Sequence, residues 1–295
     1  MSGSYSFDWV DAFTDRAFGG NPCTVFHDAA GLDEGTCMAL VRETGQTENT
    51  FLGPSEIADA RVRYFLANRE IPFAGHPTVA SVVSLLARGL VSGPRLRLET
   101  VAGMIEVDLD GPSDAPFVVM TQDQLSWGAD VPAAIVADIL GLASGDILGQ
   151  PQIVSTGLPY CIALVRSADA ARRARLNLDA MARYQARFSH PHGELMEPFM
   201  LCTDGQTEDA DIFARHLMAP PNPPEDAFTG SAMGCAAAYL WRHGLAPRPA
   251  MTAAQGDWMG RPGRARIQVQ GPRNAVTAVR VAGQGRVIMS GRLRL

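Results

Sequence analysis

Four polar residues stand where a plain apolar core would not need them: Glu48, His76, Asp226 and Ser231. His76 follows Gly75 at the head of an apolar run, "FAGHPTVASVVSLLARGL", and Ser231 follows Gly230 at the head of another, "FTGSAMGCAAAYL". A helix start leaves backbone N–H groups unpaired and carries a partial positive charge. Glycine there lets a ligand approach the backbone closely. "AGHPT" and "TGSA" therefore read as cradles for a carboxylate or an enolate-like oxygen, with Gly75, Thr229 and Gly230 as substrate-binding positions. Glu48, in "TGQTENTFLG", enters an apolar strand, and Asp226, in "PPEDAFTGSA", lies just before the second head. A carboxylate at the mouth of a dry cleft is pushed up toward neutral pKa and can work as general acid or base. Proton abstraction beside a carboxylate needs such a base, a group to return the proton, and N–H donors where charge develops. Glu48, His76, Asp226, Ser231 and the two glycine heads make up that set. Taken singly, each keeps a plainer role: Ser231 as an N-cap, His76 as a satisfied core histidine, the two acids as surface or capping groups.

The elements that must position these residues repeat along the chain. With a shift of 155 residues, "EIPFAGHPTVASVVSLLARGL" (70–90) lies on "EDAFTGSAMGCAAAYLWRHGL" (225–245) without a gap. The shared head and the shared Gly-Leu end point to duplication. "GNPCTVF" and "GLPYCIALV" form a weaker second match. Helical spacing predicts a helix in "GLDEGTCMALVRETG" with Asp33 as N-cap, and helices over 77–88 and 231–242. Alternation predicts strands in "YSFDWVDAF", "TENTFLG", "ARVRYFLA", "PFMLCT" and the glycine-punctuated tail. Apolar residues all round the two repeated helices imply burial inside a curved sheet. The expected fold is α+β: two similar pseudo-symmetric domains, each a curved, mostly antiparallel sheet or half-barrel around a central helix. The Pro/Gly/Ser cluster in 111–131 sets the boundary, giving domains 1–118 and 119–295, with a terminal strand free to cross back. Facing halves would bring both helix heads to one cleft.

The 295 residues suit two domains, and 46% apolar with 19% charged residues is an ordinary globular mix. A net charge of −6 with no basic patch argues against nucleic-acid binding. No run approaches the roughly 20 apolar residues needed to span a bilayer, and "MSGSYSFDWVDAF" does not read as a signal peptide. Five scattered cysteines with no CxxC pair read as reduced thiols of a cytoplasmic protein.

At these residues the sequence resembles the phenazine-biosynthesis isomerase (PhzF-like) family, within the diaminopimelate-epimerase-like fold. The stretches that carry the resemblance are "DAFTDRAFGGNPCTVF", "TENTFLG", "VRYFLANREIPFAGHPTVA", "STGLPY", "PEDAFTGSAMGCAAAYL" and "QGDWMGRPGRARIQV". The resemblance implies a cofactor-free isomerase of the trans-2,3-dihydro-3-hydroxyanthranilate type, active between two domains and assembled as a homodimer. It places the family's catalytic glutamate on Glu48, which would move a proton between substrate carbons. It places the GHPT histidine on His76, the motif aspartate on Asp226, and the carboxylate-binding serine on Ser231, beside Gly75 and Gly230. Two departures stand out. Glu225-Asp226-Ala227 replaces the usual Glu-Asp-Pro, and Thr47-Glu48-Asn49 replaces Ser-Glu-Thr. The related two-cysteine racemases carry a thiol before each head glycine, where this chain has Ala74 and Thr229. Cys235 then reads as a small core residue.

Other readings are weaker. "TGSAMG" is not the GxSxG elbow of a serine hydrolase. "HPHGE" could turn His190, His192 and Glu194 one way for a metal, but a polar loop is the simpler reading, so no metal is expected. A non-catalytic small-carboxylate binder on the same scaffold, and an epimerase lacking the cysteine pair, remain as alternatives.

Overall fold

The computed structural model describes residues 3–187, 197–204 and 207–295. The first half runs through β1 (Ser4–Ala12), β2 (Asn21–Phe26), α1 (Glu34–Thr44), β3 (Asn49–Gly53), β4 (Ala60–Phe65), β5 (Glu70–Ile71), α2 (Gly75–Ala87), β6 (Arg95–Thr100), β7 (Gly103–Asp110) and β8 (Phe117–Gln122). The second runs through β9 (Leu125–Asp130), α3 (Ala133–Leu140), β10 (Ile147–Thr156), β11 (Pro159–Val165), α4 (Ala168–Arg173), α5 (Leu178–Arg187), β12 (Pro198–Cys202), β13 (Ile212–Leu217) and β14 (Glu225–Asp226). It ends with α6 (Gly230–Arg242), β15 (Ala250–Gln255), β16 (Gly263–Gln270), β17 (Ala278–Gly283) and β18 (Gly285–Arg294).

Strand pairing repeats in order and in direction. In the first half β1–β2 is antiparallel, β2–β3 parallel, β3–β4 antiparallel, β4–β6 parallel, and β6–β7–β8 antiparallel. The second half repeats this as β10–β11, β11–β12, β12–β13, β13–β15 and β15–β16–β17. Each repeated run also gains one further strand: β18, from the second half, pairs with β1, and β9 pairs with β10. The antiparallel pair β8–β17 joins the two half-sheets. Residues 111–131, which the sequence offers only as a Pro/Gly/Ser connection, thus carry two strands that extend different half-sheets.

Each half-sheet curls around one helix: α2 packs on β1, β2 and β18, and α6 on β10, β11 and β17. Both helices are buried over most of their length, from Gly75 to Leu85 and from Gly230 to Leu240, so their apolar faces have no solvent side. They occupy equivalent positions under the 155-residue shift, one residue longer at the head than the periodicity of the second predicts and two for the first. Their common Gly-Leu ends are the same C-cap. Gly89 and Gly244 adopt φ of 64° and 73°, and Leu90 and Leu245 donate back to Leu85 and Leu240. Asp33 caps α1 through the Thr36 N–H, as its position predicts. All five cysteines are free and buried, and Cys235 lies in the core. Among the described residues no helix is long and apolar enough to cross a membrane.

Candidate active site

The two repeated helices point their N-termini at each other. Neither has a side-chain cap, unlike α1. Their first N–H groups therefore have no partner within the helix. Pro77 fits the first turn of α2 because a proline there removes only an N–H that the helix does not use. A Cβ on Gly75 would stand 3.1 Å from the Ser231 nitrogen, and one on Gly230 would stand 2.6 Å from the Phe13 ring. Phe13 is buried with φ of 63°, a strained conformation for a bulky residue, and stacks on Phe228 at 4.4 Å. Gly230 thus rests on the Phe13 ring and Gly75 on the backbone of the facing head, and a side chain at either glycine would force the contact apart.

Beside them lies a cavity of about 160 Å³ walled by both halves. Thr47, Glu48, Arg69 and Ile71 come from the first, and Tyr160, Glu197, His216, Asp226 and Thr229 from the second. Of the residues singled out in the sequence, Glu48, Asp226 and Thr229 reach this wall. His76, Ser231, Gly75 and Gly230 stand a layer behind it, connected through partners.

Glu48 is the first residue before β3, and its side chain is 15% exposed, toward the cavity. Burial, then the charge of Asp226, pushes its carboxyl up to about 8. His76 Nδ1 lies 3.6 Å from Glu48 Oε2, beyond hydrogen-bond range but within reach of a small adjustment. Burial pushes the His76 imidazole down to about 4 against the opposing pull of Asp226, so it is neutral at pH 7. Its Nε2 is buried without a hydrogen-bond partner.

Asn21, absent from the sequence candidates, organises this corner. Its Nδ2 donates to Asp226 Oδ1 at 2.8 Å and to the Phe228 carbonyl at 2.9 Å, and lies 3.1 Å from His76 Nδ1. An amide NH₂ has two protons, and the two shorter contacts use them. Asp226 is held further by Thr229 Oγ1 at 2.5 Å and Thr47 Oγ1 at 3.3 Å. Gln255 clamps the turn by donating to the Asp226 carbonyl at 2.9 Å and accepting from the Thr229 N–H at 3.1 Å. Ser231 is not the N-cap of α6. Thr229 holds that position, and Ser231 Oγ instead lies 2.8 Å from the Tyr160 hydroxyl. Asn21, Tyr160 and Gln255 all fall inside the stretches "GGNPCTVF", "STGLPY" and "QGDWMGRPG". For Asn21 and Gln255 the polar residue beside a glycine was the available signal, and Tyr160 carries no such mark.

Cys235 lies against Thr156, and burial pushes its thiol up to about 12, which keeps it protonated. Among the described residues no group of acids, histidines or cysteines could hold a metal ion. His190, His192 and Glu194 lie outside the described residues. The arrangement offers one raised carboxyl on the wall of a small cavity, with one neutral imidazole and two uncapped helix heads a layer behind it. Its chemistry suits proton exchange at Glu48, with the heads lending positive potential to an anion in the cavity.

The family model for phenazine biosynthesis-like proteins (PhzC-PhzF) matches residues 10–291. The chain is 30% identical to the trans-2,3-dihydro-3-hydroxyanthranilate isomerase of Pseudomonas aeruginosa, over 97% of this chain and 98% of that protein. A phenazine biosynthesis protein of the PhzF family from Bacillus anthracis superposes with a TM-score of 0.85, covering 99% of both chains at 24% identity. A hydroxyproline epimerase from Agrobacterium vitis shares the fold at 14% identity, with a TM-score of 0.69 over 99% of this chain and 91% of that one.

Proposed function

The chain belongs to the PhzC-PhzF family of phenazine biosynthesis-like proteins and is an isomerase, and we propose that its reaction is a proton shift on a small carboxylate-bearing substrate. The observation that carries this reading is Glu48: a carboxyl on the cavity wall, raised to about 8, with a neutral imidazole 3.6 Å away. At pH 7 roughly a tenth of such a group is ionised, so both the acid and the base form are available. Glu48 takes a proton from a carbon made acidic by the neighbouring unsaturated acid. The electron pair moves into that conjugated system, and the growing charge falls toward the helix heads at Gly75-His76 and Gly230-Ser231. Burial, and after it the charge of Asp226 fixed by Asn21 and Thr229, holds Glu48 in its raised state. His76 gives it a neutral neighbour rather than a cation, which would lower it. Ser231, oriented by Tyr160, supplies a hydroxyl beside the second head. Every group in this scheme belongs to the chain, without an organic cofactor. The resemblance also supports a cytoplasmic homodimer, and sedimentation measures the assembly.

The test uses trans-2,3-dihydro-3-hydroxyanthranilate, the compound named for the Pseudomonas relative, in D₂O. Wild-type protein isomerises it and places deuterium on the receiving carbon, read by NMR. Glu48→Gln abolishes both while anthranilate still binds. Unchanged exchange in Glu48→Gln would remove Glu48 from the role of base.

A further inference from the structure

The duplication places a second glutamate in the cavity. In the first half Tyr64 pairs with Thr50 on one side and Ile71 on the other. In the second half His216 pairs with Phe199 and Asp226. Ile71 and Asp226 are equivalent under the 155-residue shift. Tyr64 therefore matches His216, and Thr50 matches Phe199. Two residues before these stand Glu48 and Glu197, each immediately ahead of a strand that runs parallel to the preceding one. Glu197 holds in the second half the position that Glu48 holds in the first. The offset between them is 149 residues rather than 155, so an ungapped comparison passes over the match.

Both glutamates line the same cavity, from opposite halves. Each stands against a buried imidazole, with His216 Nε2 3.3 Å from Glu197 Oε2. Glu197 Oε1 accepts from the Ala219 N–H at 3.2 Å, which fixes the carboxyl. His216 Nδ1 lies 3.3 Å from Thr229 Oγ1, which donates to Asp226, and the rings of Tyr160 and Phe199 pack edge-on against the imidazole. A glutamate kept for the fold would be expected to meet arginine. Glu70 and Glu225, also related by the duplication, do so through paired bonds to Arg63 and Arg215. Glu197 meets a histidine instead, and His216 Nε2 is buried without a well-directed hydrogen bond. That is an expensive arrangement unless something in the cavity uses it.

We infer that Glu197, oriented by His216, is the second proton-handling carboxylate of this site, brought to the cavity by the second half as Glu48 is by the first. The inference rests on the proton-shift reading above. As Glu48 takes the proton, the C–H electron pair moves through the conjugated system. Glu197 passes a proton to the carbon at its far end, where that pair forms the new C–H bond. Glu48 gains the one proton that Glu197 loses, and exchange with water resets both. The step needs no oxidant or co-reactant. His216 is a positioning residue in this scheme, since it acts through Glu197.

The experiment uses trans-2,3-dihydro-3-hydroxyanthranilate in D₂O with wild-type, Glu48→Gln and Glu197→Gln proteins. Glutamine at 197 keeps an acceptor for the Ala219 N–H, so melting stays near wild type. Glu197→Gln should lower net isomerisation by about 10²-fold or more while the substrate C–H at Glu48 still exchanges with solvent. Glu48→Gln should lose both. Wild-type isomerisation rates in Glu197→Gln, or loss of exchange together with turnover, overturn the inference. A wild-type protein inert toward this compound counts against the proton-shift reading for it. Glu197 is then decided separately by ¹³C NMR of carboxyl-labelled glutamates during anthranilate titration. Both Glu48 and Glu197 signals should move, and movement of Glu48 alone, or no binding, overturns the pairing.

Discussion

Gly75 and Ser231 touch across the two halves: a single carbon added to Gly75 would stand 3.1 Å from the Ser231 amide nitrogen. Two helix N-termini, each with partial positive charge and no cap, therefore abut in a buried setting. Like ends held together are unfavourable alone, and an anion beside the pair reverses the sign. On the proposed proton-shift reading the abutment ties the duplication to ligand binding, since neither head alone makes the paired field.

Gly75→Ala should separate the heads. The obstructing atom is backbone and cannot rotate away, so we expect a loss of about 1–2 kcal/mol in urea denaturation and weaker anthranilate binding. Gly230→Ala presses on the Phe13 ring at 2.6 Å and should cost at least as much. Gly31→Ala, with nothing within 4 Å of its new carbon, serves as control and should stay within about 0.5 kcal/mol of wild type.

The raised Glu48 carboxyl makes stability depend on pH. Its folded pKa of about 8 lies above the ordinary glutamate value of 4.5. The folded state thus holds more protons between those limits, and stability from this group falls as pH rises through that window. Glu48→Gln should therefore melt higher than wild type at pH 8 and match it at pH 4, even as turnover is lost. His76 acts in the opposite sense. Its value drops from 6.5 to about 4, so its contribution rises with pH across that lower window. Thermal melts of wild type, Glu48→Gln and His76→Gln from pH 4 to 9 separate the two slopes.

Asn21 joins the first half to the Asp226 turn. Asn21→Leu leaves Asp226 Oδ1 and the Phe228 carbonyl without this donor, and about 1–3 kcal/mol of stability should go with it. Asn21→Asp sets a carboxylate 2.8 Å from another and should be worse at pH 7, recovering in acid as the pair shares a proton. Melting curves at pH 7 and pH 4 distinguish the two variants.

The Arg215–Glu225 pair has side chains 9% and 16% exposed and is bonded through both guanidinium edges. Arg215→Met should cost about 3–5 kcal/mol because it strands Glu225, and the double change Arg215→Met/Glu225→Leu should recover most of it. The equivalent pair Arg63–Glu70 should behave alike, and paired urea titrations measure both.

What could be read from the residues was whatever is local or repeats without a gap. The helices of the duplicated segment, their glycine heads and Gly-Leu ends, the Asp33 cap and most strands follow from spacing over a few turns. Glu48 and Asp226 were accessible because each adjoins such an element. β13, buried throughout as "IFARHL", has no alternation to mark it, and α4 is too short for its period to register. Glu197 and His216 depended on knowing that β12 and β13 pair, a long-range fact that the change of offset conceals. Asn21 reads as an ordinary turn residue until the fold brings Asp226 and Phe228 to its amide. The plainer reading of Ser231 as a cap comes from how often serine caps helices, whereas tertiary contact gives its hydroxyl to Tyr160.

The exchange of β18 onto β1 governs the order in which this molecule can be completed. While the ribosome is still producing the chain, β1 has only β2 beside it, and its other edge lies open. An open strand edge invites pairing with whatever strand arrives first, including one on a neighbouring nascent chain. Every residue from β2 to β17 must be made before the proper partner emerges. A slow stretch of translation late in the message would lengthen that exposure, and the yield of soluble protein would fall although the finished fold is unchanged.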